Sequence, residues 1–402
     1  MITFDVDLPF SKSISNRLLI LRALSNPSFS IEGLSDSTDT ERLRAILSSD
    51  SSLIDAGDGG TTFRFLLPLL SFRKGEFVLT GTERMKKRPI RELVDALREI
   101  GAVIDYLEED GFPPLRICGG ELKGGSLSVD VSRSSQFASA LLLIAPFMKN
   151  GLRLHLTGSL VSESYIELTL KVMQQLGFTS RRNDREVLIP YQQLECPSIA
   201  VERDWSSAAF WYLLVATQRD VSINLTGLSF TGVQGDEQLA DYFSELGIAT
   251  NASEQGVMLS ARQDYKVCKS LLFDLKSTPD IAPALMSACY SLKQPARFTG
   301  VSHLRYKESD RLQVLGDVFS KGGAKVSISD DELELQEFPT DFLPVTVRPE
   351  NDHRIAMSFG VLAAAGLPFQ IMNPEVVRKS YPQFWSQLAK FGFNVPIISS
   401  TT

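Results

Sequence analysis

An amphipathic helix that ends at a glycine and continues into a β-like run recurs along this chain. The pattern is clearest in residues 93–104, where apolar positions at helical spacing precede Gly101 and the apolar run 102–104. It returns at four later glycines: Gly177, Gly247, Gly323 and Gly392. A weaker copy covers residues 41–54. Because glycine adopts the left-handed conformation that ends many helices, each copy predicts a helix released into a strand.

The spacing of these copies predicts the architecture. They are roughly 70 residues apart, which is too long for a solenoid repeat and suits a β-α-β-α-β-β unit. Six such units fit a chain of 402 residues. Helix–glycine–strand successions are common in α/β proteins, but the regular spacing favours a true repeat. We therefore predict an α/β fold of α+β-type units, arranged as two domains of three units each.

Composition narrows the class of function. The net charge of −7 argues against a large nucleic-acid-binding surface, although it leaves room for a local basic cleft. The amino terminus has no signal-peptide core, and the longest apolar stretch, residues 140–148, is too short to cross a bilayer. We therefore expect no membrane association and a cytoplasmic location.

The cysteines and histidines argue against metal or redox chemistry. Four scattered cysteines form neither a metal knuckle nor a CxxC pair, and they suit a reducing compartment: Cys118, Cys196, Cys268 and Cys289. With three histidines and no HExxH motif, we expect no metal site and no cofactor.

Four segments place small polar residues or glycine just before an apolar helical run: residues 11–17, 57–64, 132–136 and 204–207. Each predicts a helix amino terminus, where free N–H groups and the helix dipole favour an anion. Any one of them can be an ordinary N-cap. None has the Walker A or GxGxxG spacing, so a nucleoside triphosphate or dinucleotide is not indicated.

Short basic segments add to this picture: residues 84–89, 352–354 and 378–382. The run 306–312 places two cations and two acids in five residues ahead of a helical pattern. If the helix starts near Lys307, Lys307 and Arg311 share one face with Glu308 beside them. Alone, each segment is typical of a solvated surface. Together they predict binding of a substrate with several negative charges.

These segments, in this order, resemble the motifs of 5-enolpyruvylshikimate-3-phosphate synthases from Ser11 to Pro382. The resemblance rests on Ser11-Lys12-Ser13 with Arg17, Gly60-Thr61-Thr62-Phe63-Arg64, Arg84-Met85-Lys86-Lys87-Arg88-Pro89, Ser134-Ser135-Gln136, Pro279-Asp280, Lys307-Glu308 with Asp310-Arg311, Asp352-His353-Arg354 and Lys379. It implies transfer of the enolpyruvyl group of phosphoenolpyruvate to the 5-hydroxyl of shikimate 3-phosphate, with release of phosphate.

The resemblance also implies a fold and a division of the chain. The family has a two-domain inside-out α/β barrel of six β-α-β-α-β-β repeats, three per domain, with substrates in the interdomain cleft. One domain should cover residues 12–203 with the shikimate 3-phosphate motifs. The other should combine residues 1–11 and 204–402, with Asp280, Glu308, Arg354 and Lys379. A monomer without cofactor is expected.

Site residues follow from the resemblance by matching position. The expected shikimate 3-phosphate ligands are Lys12, Ser13, Arg17, Ser134, Ser135, Gln136, Ser162, Tyr165, Asp280, His303 and Lys307. The expected phosphoenolpyruvate ligands are Lys12, Gly60, Thr61, Arg88, Gln136, Arg311, Arg354 and Lys379. The candidate catalytic groups are Asp280 and Glu308 for proton transfer, assisted by Lys12, Lys379 and His353.

The sequence departs from the family pattern at four positions. Phe10 replaces a glycine, Asp58 stands where asparagine is frequent, His303 replaces an asparagine that binds the sugar phosphate, and Leu304 replaces a tryptophan. These changes bear on substrate affinity and pH optimum rather than on the reaction. Two alternatives remain open: a UDP-N-acetylglucosamine enolpyruvyl transferase, whose usual loop cysteine is absent from residues 82–89, and a catalytically silent relative that binds phosphorylated metabolites.

Overall fold

The chain divides into two compact units in the structure, a computed structural model that describes residues 2–25, 29–267 and 269–398. The first unit is Phe10–Glu202 and the second combines Met1–Pro9 with Arg203–Thr402. The predicted domain crossings, before residue 12 and after residue 203, lie within two residues of these divisions.

Strands and helices alternate along the described residues. The strands are β1 (Ile2–Asp7), β2 (Ile31–Glu32), β3 (Leu53–Asp55), β4 (Gly75–Thr80), β5 (Val103–Tyr106), β6 (Leu115–Gly119), β7 (Gly125–Asp130), β8 (Leu152–Thr157), β9 (Arg181–Asn183), β10 (Glu186–Ile189), β11 (Ile199–Ala200), β12 (Val221–Thr226), β13 (Ile248–Ser253), β14 (Gly256–Ala261), β15 (Leu271–Asp274), β16 (Ala296–Thr299), β17 (Lys325–Ile328), β18 (Glu332–Glu337), β19 (Val345–Val347), β20 (Phe369–Met372) and β21 (Ile397–Ile398).

The α-helices are α1 (Lys12–Leu24), α2 (Thr38–Leu47), α3 (Gly60–Phe72), α4 (Glu83–Lys86), α5 (Arg91–Glu99), α6 (Gln136–Ile144), α7 (Ser164–Gln175), α8 (Trp205–Thr217), α9 (Leu239–Glu245), α10 (Ala282–Ser291), α11 (Arg311–Lys321), α12 (His353–Ala364) and α13 (Phe384–Lys390). Short 3₁₀ segments occur at Ala145–Phe147, Gly235–Gln238, Ser302–Tyr306 and Pro374–Lys379.

Four sheets have the predicted β-α-β-α-β-β order. In the sheet β3-β4-β6-β5, the first two strands are parallel and the last two form an antiparallel hairpin. The sheets β7-β8-β10-β9, β1-β12-β14-β13 and β15-β16-β18-β17 repeat this order. In three of these sheets a buried helix, α3, α6 or α10, lies between the two parallel strands, whereas β1 and β12 are separated by the whole first unit and α8. In all four sheets the hairpin follows a further helix, as the repeat predicts.

The two remaining units are shorter than the predicted repeat. The sheet β19-β20-β21 is wholly parallel, and β2 pairs in parallel with β11 alone. In the sheet β19-β20-β21 the parallel strand β21 therefore takes the place of the hairpin. Among the described residues, the pair β2-β11 has no hairpin. In the weak copy at residues 41–54, α2 ends without a glycine and β3 begins the next sheet, which explains why its pattern was faint.

The five repeat glycines adopt the conformation that the sequence predicts. Their φ angles are +107° at Gly101, +93° at Gly177, +76° at Gly247, +98° at Gly323 and +84° at Gly392. Each follows the second helix of its repeat within two residues. The left-handed conformation turns the chain out of the helix, which an L-amino acid with a side chain does at a cost.

The first helix of each repeat is buried, whereas the second shows one apolar face. Every residue from Trp205 to Ala216 in α8 is buried, while α5 buries only Leu93, Val94, Ala96 and Leu97. A helix that is apolar all round belongs in a core. Accordingly α1, α3 and α6 pack together in the first unit, and α8, α10 and α12 do so in the second, with the sheets outside them.

Candidate active site

The predicted site residues cluster at the amino termini of the buried helices. Lys12 begins α1, Gly60 begins α3 and Gln136 begins α6 in the first unit. In the second unit, Asp280 precedes α10 and His353 begins α12. The helix starts predicted from residues 11–17, 57–64, 132–136 and 204–207 are confirmed, the last because α8 begins at Trp205. A helix amino terminus leaves free N–H groups that favour an anion.

Arg17 lies one turn into α1 and is only 1% exposed. Its Nε donates to Thr169 Oγ1 at 2.7 Å, and its two Nη atoms donate to the carbonyls of Ser13 (2.9 Å) and Tyr165 (3.1 Å). Burial lowers the pKa of Arg17 to about 9, and Tyr165 partly offsets this effect. These hydrogen-bond partners are neutral oxygens, so an anionic ligand would compensate the buried cation.

Gln136 is oriented from both ends of its amide. Its Oε1 accepts from Arg64 Nη1 at 2.8 Å, and its Nε2 donates to Thr61 Oγ1 at 2.9 Å. Arg64 also contacts Ser134 Oγ at 3.4 Å and lies over the ring of Phe137, 5.1 Å from its centroid. The first turns of α3 and α6 are thus joined through side chains that the sequence assigned to the two substrates.

Gly60 and Arg88 are in close contact. A Cβ atom at Gly60 would lie 2.4 Å from Nη1 of Arg88, whose side chain is buried. The glycine therefore lets the guanidinium approach the amino terminus of α3. A cation and free helix N–H groups therefore lie side by side. Gly60 and Arg88 are both expected ligands of phosphoenolpyruvate, and this proximity is what that expectation requires.

Lys12 is held by a carboxylate that the sequence did not single out. Its Nζ lies 3.1 Å from Asp39 Oδ2, and both side chains are largely buried. Asp39 belongs to the first turn of α2, which is capped by Ser37. Thr40 donates to Asn16 Oδ1 at 2.8 Å and so fixes this turn against α1. The ion pair with Asp39 therefore fixes the position of the ammonium group of Lys12.

The other predicted ligands of the first unit lie on neighbouring turns. Ser135 is the N-cap residue of α6 and is buried. Ser162, also buried, has a φ of +54°, a left-handed conformation that is uncommon outside glycine. It precedes Glu163, the N-cap residue of α7, and Tyr165 lies in the first turn of that helix. The contacts of Arg17 with both Ser13 and Tyr165 join these turns.

In the second unit, Arg311 is surrounded by three carboxylates. Its Nε donates to Asp352 at 2.7 Å, its Nη2 to Glu308 at 2.8 Å and its Nη1 to Asp280 at 2.9 Å. Although burial alone would lower it, these acids, led by Asp352, raise the pKa of Arg311 above its ordinary value. The guanidinium is permanently charged and holds both candidate proton-transfer groups.

Arg354 binds the other side of Asp280. Its Nη2 donates to Asp280 Oδ2 at 2.9 Å and its Nη1 to the Asp280 carbonyl at 3.1 Å. Burial pushes the pKa of Asp280 up, but Arg354, Arg311 and Lys307 outweigh it and hold that pKa well below its usual range. Asp280 is therefore ionised and shared between two guanidinium groups.

The helix after this cluster starts later than the sequence predicted. α11 begins at Arg311, with Asp310 as N-cap accepting from the N–H of Gln313 at 3.0 Å. Lys307 lies before the helix in extended conformation, so the expectation that Lys307 and Arg311 share a helix face is wrong. The cap residue decides the start, because Asp310 satisfies the first free N–H groups. Glu308 still pairs with Arg311 from outside the helix.

The two histidines of this unit are both buried. His303 lies in the 3₁₀ segment Ser302–Tyr306 and is 2% exposed; neither ring nitrogen has a hydrogen-bond partner among the described residues. Burial, followed by the charge of Lys307, lowers the pKa of His303 to about 3. His353 is 1% exposed at the start of α12, and Lys379 is 8% exposed at the end of Pro374–Lys379.

Sequence reasoning also missed Asp236, a buried carboxyl that is 4% exposed. One oxygen accepts from Ser206 Oγ, and the other has no partner in the described part of the chain. Burial, then the charge of Asp280, raises the pKa of Asp236 to about 7. No motif marked Asp236 or Asp39, whereas Arg64 and Asp352 belong to quoted motifs but were assigned no role.

Among residues 2–25, 29–267 and 269–398, no group of three or more His, Cys, Asp or Glu side chains could hold a metal ion. No helix in the same residues is long and apolar enough to cross a membrane. Cys118, Cys196 and Cys289 are free thiols, and Cys268 lies outside the described residues.

The buried helices and the sheets outside them give an inside-out α/β fold, and cationic side chains lie near the amino termini of several of these helices. Residues 45–388 match the EPSP synthase family, described as EPSP synthase (3-phosphoshikimate 1-carboxyvinyltransferase). The chain belongs to this family.

Individual relatives agree with this assignment. A 3-phosphoshikimate 1-carboxyvinyltransferase of Bacteroides fragilis is 41% identical over 396 residues, covering 98% of this chain and 96% of the relative. One from Vibrio vulnificus is 33% identical and covers 96% of this chain and 95% of its own. A solved EPSP synthase from Acinetobacter baumannii has a TM-score of 0.76 at 22% identity, covering 98% and 96%. The predicted family and two-domain inside-out α/β fold are confirmed.

Proposed function

We propose that this chain transfers the enolpyruvyl group of phosphoenolpyruvate to the 5-hydroxyl of shikimate 3-phosphate and releases phosphate. Membership of the EPSP synthase family supports the reaction. The observation that carries the residue assignment is the cluster in which one guanidinium, Arg311, contacts both Asp280 and Glu308. The reaction needs such a pair, because one carbon must gain a proton while a hydroxyl loses one.

The first chemical step is an addition. The 5-hydroxyl oxygen forms a bond to C2 of phosphoenolpyruvate, its proton passes to a carboxylate, and C3 receives a proton from an acid. The product is a tetrahedral ketal phosphate. We assign these two transfers to Asp280 and Glu308, assisted by Lys12, Lys379 and His353.

The second step is an elimination. C3 loses a proton, the C2–C3 double bond forms again and the C2–O bond to phosphate breaks. Cations stabilise the leaving phosphate and the substrate carboxylate. We assign this role to Arg88, Arg311, Arg354, Lys12 and Lys379. The helix terminus at Gly60 and Thr61, and the amide of Gln136, complete the proposed phosphoenolpyruvate ligands.

Shikimate 3-phosphate binding is assigned to a second set of residues: Lys12, Ser13, Arg17, Ser134, Ser135, Gln136, Ser162, Tyr165, Asp280, His303 and Lys307. Arg17 supports this proposal most directly, because its buried charge has neutral oxygen partners in the structure and would be compensated by a bound anion. Hydroxyls at the start of α6 supply neutral donors for the sugar phosphate.

A phosphate-release assay with the full chain tests the proposal. We expect release that requires both phosphoenolpyruvate and shikimate 3-phosphate and that persists in excess chelator. Release with UDP-N-acetylglucosamine instead would favour the other enolpyruvyl transferase. Binding of shikimate 3-phosphate without any phosphate release would favour a silent relative. Size-exclusion chromatography with light scattering would test the further proposal of a monomer, and fractionation of the source cells that of a cytoplasmic enzyme.

A further inference from the structure

Arg182 connects a surface hairpin to the first turn of α7. It lies on β9, whose partner strand β10 continues the sheet toward β8. Its Nη2 donates to Glu163 and its Nη1 to Glu167, while its Nε donates to the carbonyl of Asp184 at 3.2 Å. The guanidinium is thus bound on one side by the hairpin turn and on the other by α7. Only 15% of the side chain is exposed.

Arg182 binds Glu163 and Glu167, which belong to the same turn as Ser162 and Tyr165. Glu163 follows Ser162 directly, and its carbonyl accepts from the N–H groups of Ile166 (2.9 Å) and Glu167 (3.1 Å). Ser162 holds a left-handed φ of +54°. A non-glycine residue keeps such a conformation only where its surroundings fix it. Glu163, the residue that follows Ser162, is one of the two acids that pair with Arg182.

The opposite side of this turn is fixed by the substrate site itself. The carbonyl of Tyr165 accepts from Arg17 at 3.1 Å, Thr169 at 2.7 Å and Ser139 at 3.2 Å. A displacement of the turn therefore moves a hydrogen-bond partner of Arg17. Arg182 holds the outer side through Glu163 and Glu167, so the turn is clamped between two arginines.

We propose that Arg182 is a positioning residue for shikimate 3-phosphate: by holding Glu163 and Glu167, it fixes the turn that presents Ser162 and Tyr165 to this substrate. The inference rests on the proposed function of these two residues. A planar guanidinium can bind two carboxylates through separate nitrogens, which an ammonium group does less well. Arg182 touches no substrate in this scheme and acts through the turn.

The test compares Arg182→Gln with Arg181→Gln, a change at the exposed neighbour on the same strand. We expect the KM for shikimate 3-phosphate to rise roughly tenfold in the first variant, less than the ~100-fold that a 1 Å misplacement of reacting groups can cost. The KM for phosphoenolpyruvate and kcat should stay within about twofold of wild type, because binding of one substrate is affected. The Arg181 variant should match wild type, and Arg182→Lys should recover part of the loss.

A double-mutant cycle ties the effect to the two acids. Glu163→Gln combined with Glu167→Gln should reproduce the rise in KM, and adding Arg182→Gln should raise it no further, since the interaction is already lost. An unchanged KM for shikimate 3-phosphate in Arg182→Gln would overturn the proposal. So would an equal rise in both KM values with a lower melting temperature, which would indicate a structural role.

Calorimetric titration of shikimate 3-phosphate into the full chain separates this inference from the proposed reaction. Wild type that binds the ligand without releasing phosphate would refute the reaction, while a weaker Kd in Arg182→Gln would still support the positioning role. Equal Kd values in the two proteins would refute that role. Wild type that does not bind the ligand at all would refute both.

Discussion

Arg354 binds Asp280 twice, through the side-chain carboxylate at 2.9 Å and through the backbone carbonyl at 3.1 Å. The Asp280 carboxylate is therefore oriented by a residue that we also assign to phosphoenolpyruvate binding. An anion that draws Arg354 toward itself removes part of the charge that holds the pKa of Asp280 low. Substrate binding should thus make Asp280 a stronger base at the moment when a proton must be taken up.

Asp280→Asn and Glu308→Gln should separate chemistry from binding. Each variant keeps the size of the side chain and some hydrogen bonding but loses the carboxylate that moves a proton. We expect kcat to fall by about 100-fold or more, the lower end of what a lost acid–base group costs. The KM for each substrate should change little. Steady-state kinetics with both substrates varied measures these values.

A structural role for the same acids would give a different result. If Asp280 and Glu308 only compensate Arg311, the amide variants should melt at a lower temperature and lose activity as they unfold. Glu332→Gln is a suitable control, because it removes a partly exposed ion pair with Arg297 elsewhere in the second unit. Near-normal kcat in both amide variants would contradict the proposed proton transfers.

Gly60→Ala should weaken phosphoenolpyruvate binding. The added Cβ would lie 2.4 Å from Nη1 of Arg88, so the guanidinium must move away from the start of α3. We expect the KM for phosphoenolpyruvate to rise roughly tenfold, the low end for one misplaced methyl group in a site. Gly120→Ala is the matched control, because a Cβ there meets no atom within 4 Å. An equal effect on the KM of both substrates would argue against a specific role for Gly60.

The repeat could be predicted because its marker is local. A glycine after an amphipathic helix needs no tertiary information, and all five repeat glycines have positive φ angles. The two shortened units were not predicted, since the loss of a hairpin depends on which strands pair. The start of α11 was predicted wrongly for a similar reason. The charge pattern favours a start near Lys307, whereas the hydrogen bond from the N–H of Gln313 to Asp310 makes Asp310 the N-cap.

The site residues beside motifs could be named from the sequence, but their partners could not. Asp39 and Lys12 are far apart along the chain, yet they form an ion pair at 3.1 Å. Asp236 carries no local signal, because its unusual pKa arises from burial and from Asp280, which lies in another repeat. Such pairings follow from packing of the buried helices, which no single segment encodes.

Asp236 should make the protein less stable as the pH rises. Burial raises its pKa to about 7 from an ordinary value of 3.8, so the folded chain keeps a proton that the unfolded chain has lost between these values. The stabilisation is complete below about pH 4 and is lost as the pH rises through 7. At about 1.4 kcal/mol per pKa unit, the loss is at most about 4 kcal/mol.

Asp236→Asn should remove this dependence, because asparagine does not ionise. The melting temperature of the variant relative to wild type should be higher at pH 8 than at pH 4.5. Asp241→Asn, at an exposed position of α9, serves as a control for the loss of one acid. The same difference at both pH values would show that Asp236 is ionised throughout this range in the folded chain.

His303 should make the protein less stable as the pH falls, the opposite of the effect of Asp236. Burial lowers its pKa to about 3 from 6.5, so below pH 6.5 the unfolded chain binds a proton that the folded chain does not. The stabilisation is complete above pH 6.5 and is lost as the pH falls toward 3. His303→Asn carries no titrating ring, and its melting temperature should fall less than that of wild type between pH 7 and pH 4.5. His155→Asn, at a side chain that is 42% exposed, serves as a control for the loss of one imidazole. Parallel melting curves for wild type and His303→Asn would mean that the buried imidazole takes up its proton as readily as a free one.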